Sequence, residues 1–245
     1  MTSLSGKTVL VTGGAGFLGS HLCRGLLAQG CRVVATSRRP PATDASGIEW
    51  RSPDLESAEV ARRLVAEVEP AVIYHLAGDV GAAPGAERVL PAFNSLLTST
   101  VHLLTAALEE GRPRVLLAGS LTEPDDAGSA PVPTSPYSAA KWAASGYGRM
   151  FAALYGLEAV ILRPFMAYGP GQKPEKLIPY VIGSCLQGRA PRLSSGRQRS
   201  DWIFVDDVID GMLAAARRSA FRGRPSISAP GSSSPFVKSS KSSWS

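Results

Sequence analysis

Tyr137 and Lys141 stand four residues apart in YSAAKWAASGYGRMFAALYG, residues 137–156, whose apolar spacing predicts a helix. Four residues bring both side chains to one face. That pairing suits acid–base work. A free phenol ionises at about pH 10, and a neighbouring ammonium favours phenolate and draws it toward a working range. Taken alone, a tyrosine and a lysine at this spacing read equally as an exposed helix pair. A second feature lies far upstream. VTGGAGFLGSH, residues 11–21, places Gly13, Gly14, Gly16 and Gly19 between an apolar run and a helix-like one. Such a loop leaves unpaired N–H groups at a helix start, where the helix dipole favours an anion. Residues 14–19 satisfy the G-x-G-x-x-G spacing, in which one glycine makes the turn, one lets a diphosphate approach the backbone and one packs helix on strand.

Elements able to hold these groups follow in order. Strands are predicted over 7–13, 31–39, 48–55, 71–78, 114–120 and 158–165. Helices are predicted over 20–30, 56–68, 92–111 and 137–156, with a Pro/Gly/Asp-rich loop over 123–136. Strands alternating with helices of this length argue for right-handed βαβ units and a parallel sheet covered on both faces. The expected class is therefore α/β, a Rossmann-type doubly wound parallel sheet. Ligands in such sheets sit beyond the carboxyl ends of the strands. The glycine loop, residues 37–39, Ala77–Gly78 and Ser120 all fall at such ends.

The totals narrow the function class. The 245 residues are 44% hydrophobic and 19% charged, as in ordinary globular chains. No apolar run reaches the roughly 18–20 residues of a membrane span. The first residues lack the basic-then-apolar pattern of a secretory signal. Cys23, Cys31 and Cys185 are odd in number and without metal-ligand spacing, which argues against a disulfide framework or a metal site and for a reducing cytoplasm. The net charge of +6 is spread along the chain with no aromatic interleaving, so a small anion is expected as partner rather than nucleic acid.

TGGAGFLG at 12–19 resembles the TGxxGxxG signature of the extended short-chain dehydrogenase/reductases, the NAD-dependent epimerase/dehydratase family, which acts largely on nucleotide sugars. Four further segments agree: YHLAG at 74–78, Asn94 at the head of the long helix, the YxxxK pattern of Tyr137 and Lys141, and LRPFMAYGPGQ at 162–172. The resemblance covers roughly residues 7–216. It implies a dinucleotide-binding domain over 1–165 and a small, incomplete substrate lobe over 166–245, returning to the first domain near 202–218. It also implies cofactor contacts from Gly13, Gly16, Phe17, Leu18, Gly19, Leu76, Ala77, Gly78, Tyr137, Lys141 and Pro164, and from Asp54 and Leu55 on the adenine side. Its catalytic set is Tyr137, Lys141 and a hydroxyl at the end of the fifth strand. Ser120 fits that register, with Thr122 as fallback and substrate contact; a lone serine after a strand also serves as a turn cap. His21, His75 and His102 fit no catalytic motif and are expected to be structural. Family members are often dimers, so a homodimer is possible.

At the end of the second strand, where an NAD site carries Asp or Glu, stand Ser37, Arg38 and Arg39. An arginine fork attracts a 2′-phosphate that a carboxylate would repel. NADP is therefore expected over NAD, unless the arginines are solvated and Ser37 serves the ribose of NAD. The Thr-Asp-Glu trio of the family's dehydratases is out of register in Ser120-Leu121-Thr122-Glu123. An NADPH-dependent 4-ketoreductase of deoxysugar biosynthesis is thus the expected activity. The alternatives are an NAD-dependent 4-epimerase or, from another class, a non-catalytic NADP-binding sensor.

Residues 194–216 resemble the family's RDxxxVxDV segment through Asp201, Asp206 and Asp207, with Ser200 where the family has a substrate-binding arginine. Arg197 or Arg199 substitutes for it, or both belong to a solvated loop. After Gly223 the resemblance fades, and eight of the last fourteen residues are serine, which predicts an irregular 224–245. Those fourteen residues can be encoded so that the adjacent frame reads LVSVREVVEVVVV, similar to a serine-capped family helix. A shifted frame near Ser232 is therefore an expectation that resequencing the gene tests.

Overall fold

The computed structural model describes residues 3–41, 46–81, 83–124, 131–193 and 200–217, and the backbone of 226–228. The strands are β1 (Thr8–Thr12), β2 (Arg32–Thr36), β3 (Glu49–Arg51), β4 (Val72–His75), β5 (Arg114–Ala118), β6 (Ala159–Arg163), β7 (Met166–Tyr168), β8 (Trp202–Phe204) and β9 (Ser226–Ser228). The helices are α1 (Phe17–Ala28), α2 (Ala58–Val68), α3 (Val89–Ala92), α4 (Ser99–Glu109), α5 (Pro136–Tyr155), α6 (Leu177–Leu186) and α7 (Val205–Arg217). Seven strands form one parallel sheet in the order β3-β2-β1-β4-β5-β6-β9, and β7 pairs with β8 in a separate two-stranded sheet.

Valine and isoleucine runs make β1, β2 and β4 buried on both faces, as a doubly covered parallel sheet demands. Their side chains alternate between two cores. Val9, Val11, Val33 and Tyr74 face α1 and α7, meeting Leu22, Leu26, Ile209 and Met212. Leu10, Val34, Ile73 and Val115 face the other way, onto Leu64, Leu103, Leu104 and Phe151 of α2, α4 and α5. Each fully buried leucine of this kind contributes about 1.5–3 kcal/mol. The segment containing α7 thus returns to the sheet and covers it beside α1.

Chain reversal between β1 and β4 opens the crevice at their carboxyl ends, because β1 leads outward to β2 and β4 leads to β5 on the other side. Strands β2, β3 and β4 end sooner than the sequence reading, at Thr36, Arg51 and His75, and two helix starts also differ. Helix α1 begins at Phe17 rather than residue 20, since Gly16 caps it in an extended conformation. The long helix begins at Ala86 and carries a π-helical turn over Phe93–Thr98, around Asn94. Ala86–Glu109 has the length and apolarity of a membrane-crossing helix. Its inner face nevertheless packs Leu96, Leu103, Leu104 and Ala107 into the protein.

Candidate active site

Four glycines permit a backbone path at the end of β1 that side chains would block. Gly13 has φ +73°, and a Cβ there would lie 2.8 Å from the Ala77 nitrogen. At Gly19 it would lie 2.2 Å from the Gly13 carbonyl oxygen. Gly16 N–H donates to Gly13 O at 2.9 Å and closes the turn. As the cap of α1, Gly16 offers no side chain to the helix's first N–H groups. Phe17 and Leu18 are half-buried in that first turn. A cradle without side chains, with helix-start amides left uncapped, fits a diphosphate.

Across the crevice, Ser120 sits just past β5 and is 7% exposed. Its Oγ lies 2.9 Å from Thr122 Oγ1 and accepts the Thr122 N–H at 3.1 Å. Helix α5 starts on a designed-looking cap: Ser135 accepts the Ser138 N–H and Pro136 takes the first turn. Ser138 Oγ then donates to Thr122 O at 2.5 Å, tying the helix to the Ser120 loop. This places Tyr137, packed against Ala92, Leu96 and Ala140, beside Ser120. Lys141 is 9% exposed, and its Nζ donates to Ala118 O at 2.6 Å.

The electrostatics depart from the expectation drawn from spacing. Burial pushes the Tyr137 phenol above its ordinary value; the hydrogen bond with Ser120 opposes this, and Glu123 adds to it. Lys141 Nζ is turned to the Ala118 carbonyl. Burial also pushes Lys141 down to about 8, against the raising effect of Glu123. Ammonium and phenol share a helix face, but the strand's own carbonyl competes for the ammonium.

Residues 9–227 match the model of the NAD dependent epimerase/dehydratase family. The chain belongs to that family. The UDP-glucose 4-epimerase of Mycolicibacterium smegmatis is 33% identical over 228 residues, 84% of this chain and 72% of that protein. The dTDP-glucose 4,6-dehydratase of Shigella flexneri is 28% identical over 236 residues, 81% of this chain and 65% of that one. This chain therefore spans about two thirds to three quarters of the length of these relatives. Among solved structures, MoeE5 in complex with UDP-glucuronic acid and NAD superposes with a TM-score of 0.74 at 31% identity, covering 89% of this chain and 74% of that one. The Thermus thermophilus UDP-glucose 4-epimerase in complex with NAD gives 0.73 at 28% identity, covering 87% and 75%.

The remaining family positions fall around the crevice. Ser37 follows β2 directly, and its Oγ accepts the Arg39 N–H at 3.1 Å; Arg38 and Arg39 are exposed. Asp54 is exposed and caps its own turn through the Glu56 N–H, while Leu55 is buried. Leu76, Ala77 and Gly78 line the end of β4, and Pro164 the end of β6, all half-buried. Thr122 is exposed beside Ser120. Arg197 and Arg199 lie outside the described residues, as does the serine-rich tail apart from the backbone of β9. Among the described residues no cluster of metal-ligating side chains occurs.

Two arrangements were not read from the sequence. One is Glu123 with Arg163, treated below. The other is a hydrogen-bonded chain under the crevice. Thr12 Oγ1 accepts the Leu76 and Ala77 N–H groups at 3.2 Å each and lies 2.7 Å from His75 Nδ1. His75 Nε2 lies 3.1 Å from Thr100 Oγ1, which donates to Leu96 O. With both Thr12 acceptances fixed, its hydroxyl donates to Nδ1, so His75 is neutral with its proton on Nε2. Burial, aided by Lys141, lowers the His75 pKa to about 3. Between about pH 6.5, the unfolded value, and about pH 3, the unfolded chain binds the proton and the native one does not. Stability should therefore fall as pH falls through that window. Urea unfolding at several pH values checks this, with His75→Gln expected to flatten the slope.

Proposed function

We propose that the chain is an NADPH-dependent reductase of a 4-keto nucleotide sugar, of the kind that serves deoxysugar synthesis in the cytoplasm. The coarser statement, an oxidoreductase of a family that modifies nucleotide sugars, follows from membership. What supports the finer one is the stretch Ser37-Arg38-Arg39 just past β2, where an acidic residue would serve NAD, with both arginines exposed; Ser120, Tyr137 and Lys141 at the end of β5 suit a reductase and an epimerase alike.

The glycines and α1 amides would hold the diphosphate, Ser37, Arg38 and Arg39 the adenosine side with its 2′-phosphate, and Asp54 and Leu55 the adenine. Leu76, Ala77, Gly78 and Pro164 would border the nicotinamide half. A bound nicotinamide dinucleotide supplies the hydride. The residues of the chain handle the oxygen and its proton. Ser120 Oγ hydrogen-bonds the carbonyl oxygen and orients it. Tyr137 gives its phenolic proton to that oxygen as the alcohol forms. Lys141, whose Nζ is turned to Ala118 O in this structure, would bond the nicotinamide ribose and, swung from that carbonyl, would steady the phenolate left behind. Thr122, with Arg197 and Arg199, would contact the sugar nucleotide. Elimination of water needs a free acid at this strand end, and Glu123 is buried in a clamp instead, which argues against dehydratase chemistry.

An NAD-dependent 4-epimerase is the second reading, favoured by the 33% identity to the Mycolicibacterium smegmatis epimerase. Fluorescence titration separates the two. The reductase reading expects NADPH to bind more tightly than NADH, with Arg38→Ala and Arg39→Ala each costing NADPH roughly 10-fold or more through a lost charge-assisted bond. The epimerase reading expects NAD to stay with the protein through purification. No uptake of either coenzyme overturns both. Binding without turnover over a panel of keto sugar nucleotides leaves the non-catalytic sensor. We further propose a homodimer, supported by exposed Val89, Leu90, Phe93, Tyr147, Leu154 and Tyr155 on the long helix and α5. Sedimentation tests it.

A further inference from the structure

Glu123 is 5% exposed at the end of the loop that carries Ser120, and a buried carboxylate persists only when its oxygens are met. Its Oε1 accepts the Ser120 N–H at 2.6 Å. The same oxygen occupies space beside Gly119, where a Cβ would lie 2.7 Å from it. Its Oε2 lies 3.9 Å from Arg163 Nε. Arg163, leaving β6, donates to Ser120 O at 3.0 Å and to Glu123 O at 2.7 Å. The Glu123 N–H closes the turn onto Ser120 O at 3.2 Å. Both backbone polar groups of Ser120 are therefore fixed by one carboxylate and one guanidinium.

We infer that Glu123 is a positioning residue of this site: its carboxylate holds Ser120 in place and supplies the negative charge that Tyr137 and Lys141 face. Among the described residues, the charged and titratable groups around it are Arg163 from β6 and Tyr137 and Lys141 from α5. Toward Lys141 the carboxylate counters burial and keeps the ammonium charged at neutral pH. Toward Tyr137 it opposes ionisation, so the phenol holds its proton until something else draws it. Both effects favour the protonated forms that a proton donor and its cationic support require. The inference rests on the proposed function only in naming Tyr137 and Lys141 as the reacting pair.

Carbon-13 NMR of the full chain, labelled at tyrosine Cζ and assigned with Tyr137→Phe, tests this without any turnover. Glu123→Gln keeps the shape and an oxygen for the Ser120 N–H while removing the charge. In that variant Tyr137 is expected to titrate at lower pH than in the parent, with the melting temperature little changed. A folded Glu123→Gln protein whose Tyr137 titrates as in the parent overturns the electrostatic role. Should Glu123→Gln fail to fold, Arg163→Gln gives the opposite sign: the carboxylate is less compensated and Tyr137 titrates at higher pH. An unchanged midpoint there overturns the inference equally. Failure of coenzyme uptake would refute the proposed function while leaving these titrations to stand or fall on their own.

Discussion

Tyr137→Phe is expected to lower turnover by about 10²–10⁴-fold, the usual contribution of a positioned acid or base, while leaving coenzyme affinity close to that of the parent. The ring belongs to the small apolar cluster of Ala92, Leu96 and Ala140, and phenylalanine preserves that packing. Only the hydroxyl that meets Ser120 is lost. The substitution therefore separates proton transfer from folding and from binding. A change confined to KM would mean that the phenol holds substrate and moves no proton. Measuring kcat and coenzyme affinity on the same preparation distinguishes these outcomes.

Gly19→Ala should be the most damaging small substitution in the cradle. The new methyl would sit 2.2 Å from Gly13 O and 2.8 Å from Gly14 Cα, and backbone atoms cannot swing aside as a flexible side chain can. Overpacking of this kind costs about 1–3 kcal/mol, and a cradle forced open loses its fit to a diphosphate. Dinucleotide affinity is expected to fall about 10- to 100-fold, with a lower melting temperature. Gly146→Ala is the matched control. It lies on α5 with nothing within 4 Å of the added Cβ, and alanine suits a helix interior better by about 1 kcal/mol. Calorimetry on the two variants should show opposite signs in stability.

The sheet, the cradle and the helix carrying Tyr137 and Lys141 were legible because each is written locally. Buried parallel strands are continuous apolar runs, as in β1 and β4. Glycine spacing reports a close approach of backbone. A four-residue interval reports a shared helix face. What the sequence concealed depends on residues distant along the chain. Arg163 is forty residues from Glu123, and nothing near either announces that they clamp Ser120 together. His75 joins Thr12 to Thr100 across three elements, so it reads from sequence only as a histidine in an apolar strand. The direction of the Tyr137 shift was missed for a related reason. Spacing places the ammonium on the right face but says nothing of Ala118 O, which takes it, or of the apolar neighbours that bury the phenol.

Transfer of deuterium from NADPH labelled at the transferable nicotinamide position tests the central claim most directly. With a 4-keto nucleotide sugar, the account predicts one deuterium at the former carbonyl carbon of the product, read by mass spectrometry and NMR, and a near-absence of labelled product from Tyr137→Phe over the same time. A protein that binds the coenzyme yet gives an unlabelled product, or one that forms labelled product as fast when Tyr137 is replaced, would contradict it.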